Sequence, residues 1–553
     1  MPPGPPQASH SSFLSGIKTS CVLSGRLNHA LDFEVAVSAG RGPRGLCATV
    51  LAALLWVAIG AAAAPTALWL DRDGRPGASV RDALQLLSDA ATDGLVPADY
   101  GVDELAGRAA ALGRGDVSAA SLQAAFEGDL DAAMQRFLHD LHFGRVDPRS
   151  LGFRLPSPRS GGPDTAALLH AAVAERRLPA LAADLRPRLQ QYRKLRDALA
   201  RYRVLAEDRS LPGLVRATPP VKPGDAFGDA AALQRRLVAV GDLSPEAAQG
   251  TPRYEPALAE GVRRFQRRHG LDADGVLGRR TLEALNVPMA LRVQQIELAL
   301  ERLRWLPELG PGPVVGINIP LFRLWAWDAA DPQRTAIDMA VVVGRALNTR
   351  TPVMAETMRS VIFRPYWNVP RSIVRNELLP ALMRDPARLQ RDDMEIVRGD
   401  GDNAQVVPAS PQALALLGQG KLRLRQRPGP KNSLGLVKFV FPNAENIYLH
   451  GTPATQLFQR SRRDYSHGCV RLEDPVALAQ WLLRDQPRWT RERIEASMAG
   501  TSTLRVDLSR PLPVLLFYMT ATVMPEDDAL HLADDIYGHD ARLLQALSAR
   551  RRR

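Results

Sequence analysis

A change of apolar period near residue 310 constrains this chain more than any other feature. Between about Thr66 and Leu306 the apolar residues recur at spacings of three and four, as helices packed by one face require. Beyond Pro313 they gather into short stretches rich in Val, Ile and aromatics, bounded by Pro and Gly, as strands require: "PVVGINIPLFRLWAWD", "SVIFRPYWNVP", "LVKFVFP", "NIYLHGTP" and "LPVLLFYMTATVM". A chain of 553 residues has room for several cores, and 45% hydrophobic with 24% charged residues is ordinary globular composition. The expected class is therefore multidomain α+β, with helices first and a mostly β domain after them.

The boundaries follow from the breakers. Residues 1–40 are poorly patterned and read as an unstructured extension or a start-site artefact. Arg41 and Arg44 precede a 19-residue apolar run from Leu46 to Ala64, so 41–64 read as an export signal or a membrane anchor. A helical region spans 66–216, in which Leu130, Met134, Phe137, Leu138 and Leu141 share one face. His139 and His142, three apart on that helix, read as surface residues rather than metal ligands, and Arg145, Asp147 and Arg149 as a polar exit turn. A Pro/Gly-rich linker leads to a compact unit at 225–288. The strand-rich domain spans 310–545, and a helical, polar stretch at about 375–430 interrupts it, too long for a hairpin loop and read as a lid.

The net charge of +12 suits anionic polymers loosely, but the basic residues are scattered. No nucleic-acid-binding signature is present, and nucleic acid is not an expected partner.

In the unit at 225–288, "FQRRHGLDADGVLGRRTLEAL" joins a second helix to a third through a tight turn. It resembles the three-helix peptidoglycan-binding domain, with Phe265, Gln266, Gly270, Leu271, Asp274, Gly275, Gly278, Thr281 and Leu282 in the signature places. The resemblance implies that 225–288 contact the cell-wall polymer.

Cysteine usage points to chemistry. Of three cysteines, Cys21 and Cys47 lie before or within the export segment, so an exported body keeps Cys469 alone. A lone thiol in an oxidising compartment flags reactivity. It stands in "YSHGCVRLEDP". His450 precedes it by 19 residues, a loop long enough to bring an imidazole beside the thiol as general base. Gly468 allows a sharp turn, and the amides of Gly468 and Cys469 are candidate oxyanion donors. Arg471 either favours thiolate and binds a carboxylate, or pairs with Glu473 or Asp474. A zinc site built from His450, His467 and Cys469 lacks a further ligand nearby. No metal or cofactor is expected.

His450-Gly451 followed by Ser466-His467-Gly468-Cys469-Val470-Arg471 resembles the catalytic motif of L,D-transpeptidases. "FRPYWNVP", with Tyr366 and Trp367, and "VVVGRALNTRTPV" resemble further stretches of that family. The arrangement over residues 70–545 is similar to the long, scaffold-bearing members from Gram-negative bacteria. The resemblance implies a periplasmic enzyme in which Cys469 is the nucleophile and His450 the base, with the Gly451 carbonyl orienting His450. It further implies that Ser466, His467, Arg471, Tyr366 and Trp367 line the peptide site, with Tyr366 and Trp367 packing at the sheet edge as the other reading. Stem peptides of peptidoglycan would be joined 3→3 through a cysteine thioester. Hydrolysis by an L,D-carboxypeptidase and a non-catalytic wall-binding scaffold remain the alternatives.

Overall fold

The computed structural model describes residues 68–551 except 117–118, 157–162, 212–219, 248–252, 329–330, 346–348, 400 and 402–403. The extension at 1–40 and the apolar run at 46–64 lie outside the described residues. Among the described residues no helix is long and apolar enough to cross a membrane.

Helices Ala78–Ser88, Val102–Arg114, Ala120–Phe143, Thr165–Ala174 and Leu178–Leu185 bury one common apolar core. The stripe read along Ala120–Phe143 is fully buried, from Leu130 to Leu141. Helix Gln190–Glu207 packs on Met289–Leu303 in a second core that also takes in Ala521, Val523, Leu530 and Leu532. Its polar centre is Glu301, fully buried. The Glu301 carboxylate accepts from Arg145 Nε and Arg304 Nη1, both at 3.0 Å, and from the Arg145 and Val146 amides. Arg145 thus leaves the expected exit-turn cluster, while Arg149 does pair with Asp147. His142 bonds the Leu185 carbonyl at 2.9 Å.

Helices Ala230–Ala239, Pro256–Arg268 and Arg279–Leu285 enclose a small core of their own. The signature residues of this unit meet at one side chain. Gln266 Nε2 donates toward Asp274 Oδ1, the Val276 carbonyl and Thr281 Oγ1 at 2.9, 3.0 and 3.1 Å, and Gln266 Oε1 accepts from the Gly275 amide at 2.8 Å. Gly275 has φ +73°, which a side chain rarely adopts. The motif is therefore the internal brace of a turn.

The last part holds strands β1 (Pro313–Asn318), β2 (Arg323–Asp328), β3 (Asp331–Gly344), β4 (Met354–Phe363), β5 (Trp367–Asn368), β6 (Met394–Arg398), β7 (Gln405–Val407), β8 (Arg423–Gln426), β9 (Val437–Val440), β10 (Leu449–His450), β11 (Asp464–Ser466), β12 (Val470–Leu472), β13 (Leu504–Phe517), β14 (Ala521–Val523) and β15 (Leu530–Leu532). The main sheet runs β11-β3-β12-β10-β9-β4-β13-β1-β2, and a further pairing of β2 with β3 closes it on itself. A closed sheet shelters its strand edges and encloses the largest core of the molecule.

Two expectations need adjustment. The stretch read as a helical insertion also contains strands β6, β7 and β8, which with β5 just before it form a four-stranded sheet, β5-β8-β6-β7, with its own apolar core around Leu382, Ile396 and Leu424. The strand-like stretch "LPVLLFYMTATVM" is divided between two sheets. β13 ends at Phe517, and β14 pairs with β15 in a separate hairpin. Asn318 turns the chain away: its side chain accepts from the Met519 amide and donates to the Met519 carbonyl, both at 3.0 Å.

Candidate active site

The site sits where β10 and β12 run parallel, with Leu449 opposite Val470 and His450 opposite Arg471. Alternation sends Leu449 and Val470 into the core, where both are fully buried. Tyr448, His450, Cys469 and Arg471 consequently share the other face. One step back along the same register, Cys469 lies beside Tyr448, which puts His450 on its diagonal, a spacing that long side chains span. β9 borders β10 on its other side and places Lys438 opposite His450. The Lys438 ammonium lies 3.8 Å from the centre of the Tyr448 ring, a cation–π contact.

His450 is buried, and its Nδ1 lies 2.5 Å from the Gly451 carbonyl oxygen. A carbonyl only accepts, so Nδ1 carries the proton and Nε2 is left with a lone pair. Burial, reinforced by Arg471, pushes the imidazole down to about 3. The backbone at Gly451 is itself fixed. Its amide donates to the Val437 carbonyl at 3.0 Å, and Gly435 approaches so closely that a Cβ there would stand 2.6 Å from the Thr452 nitrogen.

Cys469 is a free, half-buried cysteine whose Sγ points at the Asn446 carbonyl, 3.6 Å away. Burial pushes its thiol up, against the opposing pull of Tyr448, Lys438 and Arg471. The expected thiolate bias from Arg471 is therefore outweighed, and the resting pair is neutral thiol with neutral imidazole. Such a pair suits a nucleophile whose proton leaves as it attacks.

The loop that carries Cys469 differs from expectation in three places. Gly468 does make the turn, at φ +116°, but its amide already donates to Ser466 Oγ at 3.1 Å. It is thus not available as an oxyanion donor. Ser466 is buried, and its hydroxyl donates to the Cys469 carbonyl at 2.6 Å, so it shapes the loop instead of facing a ligand. His467 turns toward the insertion, with Nε2 2.7 Å from Glu377 Oε1.

Arg471 pairs with neither neighbouring acid. Glu473 accepts from the Ala340 amide, and Asp474 caps the helix Pro475–Leu482 through the Ala477 amide. Arg471 Nε is buried without a hydrogen-bond partner, and burial together with Arg345 lowers the guanidinium's proton affinity. Trp367 reaches the Tyr448 hydroxyl, and so borders the thiol. Tyr366 instead lies under the Arg425 guanidinium, 4.2 Å from ring centre to carbon, within the small sheet.

Sequence reasoning missed Tyr448, Lys438, Asn446, Glu377 and Thr351. Only Tyr448 left a local signal, because it precedes His450 by two on a strand and must share its face. Thr351 Oγ1 donates to the Gly468 carbonyl at 2.7 Å, a contact between segments 117 residues apart. Among the described residues no cluster of three or more His, Cys, Asp or Glu could hold a metal ion.

Comparison with known proteins gives three matches along the chain. Residues 61–199 match a scaffold domain, residues 228–285 a "putative peptidoglycan binding domain", and residues 313–503 the L,D-transpeptidase catalytic domain. A curated protein of Haemophilus influenzae, named "putative L,D-transpeptidase", is 32% identical over 250 residues, which cover 45% of this chain. The match spans 49% of that relative, so about half its length. Among solved structures, an L,D-transpeptidase from Stackebrandtia nassauensis aligns with 55% of this chain and 97% of its own, at 14% identity and a TM-score of 0.23. L,D-transpeptidase 3 from Mycobacterium tuberculosis aligns with 37% and 60%, at 14% identity and a TM-score of 0.18. The chain carries an L,D-transpeptidase catalytic domain together with a peptidoglycan-binding domain.

Proposed function

We propose that this chain, on the premise of those two domains, is a peptidoglycan L,D-transpeptidase working through a Cys469 thioester. Residues 225–288 engage the wall polymer and the closed sheet carries the chemistry. The observation that carries this reading is the His450–Gly451 contact. It fixes the tautomer and aims an unprotonated Nε2 across the face that Cys469 shares. Cys469 Sγ attacks the carbonyl that follows the L-centre of diaminopimelate in a tetrapeptide stem, and His450 Nε2 takes the thiol proton. The tetrahedral intermediate collapses, the C–N bond breaks, and His450 returns the proton to the departing D-Ala amine. The side-chain amine of a second diaminopimelate then attacks the thioester and gives its proton to His450 Nε2; the C–S bond breaks, the proton passes to Cys469 Sγ, and a 3→3 cross-link is left.

With the Gly468 amide committed to Ser466, the developing oxyanion falls to the Cys469 backbone amide. Arg471, buried and unpartnered at Nε, takes a substrate carboxylate. Trp367 and Tyr448 form the wall against which the stem packs. His467, held by Glu377, ties the insertion to the loop that presents the nucleophile. Because this substrate lies outside the cytoplasmic membrane, export through 41–64 and a periplasmic location belong to the same reading.

Incubation of the purified protein with tetrapeptide muropeptides, followed by mass spectrometry, tests it. 3→3 dimers that vanish in Cys469→Ala are expected. Tripeptide alone would make the enzyme a carboxypeptidase, and no turnover by a folded protein would remove both enzymatic readings.

A further inference from the structure

The matched catalytic domain ends at residue 503, yet the sheet does not. β13 (Leu504–Phe517) lies between β4 and β1 inside the closed order, and the chain then continues past the β14–β15 hairpin to Tyr537. Tyr537 is buried, far in sequence from the nucleophile loop, and its hydroxyl enters that loop's support. The Tyr537 hydroxyl donates to the Gly344 carbonyl at 2.6 Å and accepts from the Thr351 amide at 3.2 Å. Thr351 Oγ1 accepts from the Gly344 amide at 2.9 Å and donates to the Gly468 carbonyl at 2.7 Å. Every polar atom in this chain of bonds is satisfied. Burial pushes the phenol up to about 12, so it keeps the proton it donates.

The knot is tight. A Cβ on Gly344 would fall 1.9 Å from the Thr349 carbonyl oxygen, so the two segments approach as only glycine permits. The Arg345 amide and Thr349 Oγ1 both donate to the Ser466 carbonyl, at 3.0 and 3.1 Å. Both carbonyls of the nucleophile turn, Ser466 and Gly468, are thus held from the segments around Gly344 and Thr351. Tyr537 is held in turn. Its amide donates to the Tyr518 hydroxyl at 3.0 Å, and that hydroxyl donates to Asp535 Oδ1 at 2.6 Å.

We infer that Tyr537 and Thr351 are positioning residues for Cys469. The segment beyond the matched domain sets, through two hydroxyls, where the Gly468 turn presents the thiol. Neither residue needs to touch substrate. They act by fixing the peptide on the N-terminal side of the nucleophile, where displacement of an ångström costs on the order of 100-fold in rate. The inference rests on Cys469 being the nucleophile of the proposed reaction.

Three full-chain variants test it: Tyr537→Phe, which keeps the ring, Thr351→Val, which keeps the shape, and Thr351→Ser, which keeps the hydroxyl. The readouts are kcat and KM on tetrapeptide muropeptides, the pH profile of Cys469 alkylation by iodoacetamide, and the melting temperature. Tyr537→Phe and Thr351→Val should lower kcat about 10- to 100-fold, leave KM within about twofold, and move the alkylation profile. Thr351→Ser should restore both. A purely structural role would lower the melting temperature and leave kcat and the alkylation profile of the folded fraction as in the wild type, and that result would overturn the inference. If Tyr537→Phe fails to fold, the Val and Ser pair at 351 decides. If the wild type turns over no muropeptide, the proposed function fails while the alkylation profiles still judge the positioning claim.

Discussion

His467 Nε2 and Glu377 Oε1, 90 residues apart in the chain, stand 2.7 Å from each other, and they join the loop that carries Cys469 to the insertion. Glu377 lies in the π-helical turn Val374–Leu378, and its side chain is half exposed. An exposed pair of this kind contributes about 0.2–1 kcal/mol. Glu377→Ala should therefore raise KM for stem peptides about two- to fivefold and leave the melting temperature within about 1 °C. Steady-state kinetics beside thermal denaturation checks it. An unchanged KM would show that the contact does not govern closure of the insertion over the site.

His450 provides the sharpest catalytic prediction. Replacing it by Gln removes the proposed base while keeping a polar side chain, and kcat should fall about 10²- to 10⁴-fold. Because burial holds the imidazole at about 3, the acid limb of kcat/KM should lie well below pH 6.5. A limb centred near 6.5 would mean that another group titrates there.

The same depression carries a stability signature. His450 and His539 are held at about 3 and about 4, chiefly by burial, below their ordinary 6.5. The unfolded chain therefore binds more protons between pH 6.5 and 3. Their contribution is fully present above pH 6.5 and is lost as pH falls through that window. Glu526 acts in the opposite sense. Raised from 4.5 to about 7, first by burial and then by Asp338, it contributes below pH 4.5 and loses this as pH rises through 7. Comparing His450→Gln with the wild type separates the two, and the variant's melting temperature should fall less steeply from pH 6 to 4. Parallel curves would refute the assignment.

Gln266 braces the turn of the unit that matches a peptidoglycan-binding domain, so Gln266→Ala should strand the Gly275 amide, while the Thr281 hydroxyl keeps the Val276 carbonyl. Each buried group left without a partner costs about 1–3 kcal/mol. Sedimentation with purified sacculi should show weakened binding, while turnover of soluble muropeptides stays near wild type. Full sacculus binding by the variant would place wall contact elsewhere.

Glu301 neutralises Arg145 and Arg304 in a fully buried cluster. Glu301→Gln leaves two buried guanidinium groups short of a counter-charge and should destabilise by about 3–5 kcal/mol, read by urea denaturation. A loss under about 1 kcal/mol would mean that the remaining partners of Arg304, the Asp93 carbonyl and the Tyr192 hydroxyl, suffice.

Residue pattern alone determined a good deal here. The shift from a 3.6-residue period to alternation separated helices from sheet, because burial on one face imposes its period on any sequence that folds that way. The single thiol beyond the apolar run and the His-Gly turn marked Cys469, His450 and Gly451 as candidates, because a thiol paired with an imidazole leaves a local signature. Tertiary structure decided the roles around them. The Ser466 hydroxyl and the Gly468 amide are spent within their own loop, Arg471 keeps a buried Nε without a partner, and Tyr366 turns away to Arg425. Strand order sets β10 beside β12, and a hydroxyl from residue 537 reaches the support of a loop at 468. Such contacts depend on strand order and on which buried groups find partners first, and neither quantity is written in any one stretch of sequence.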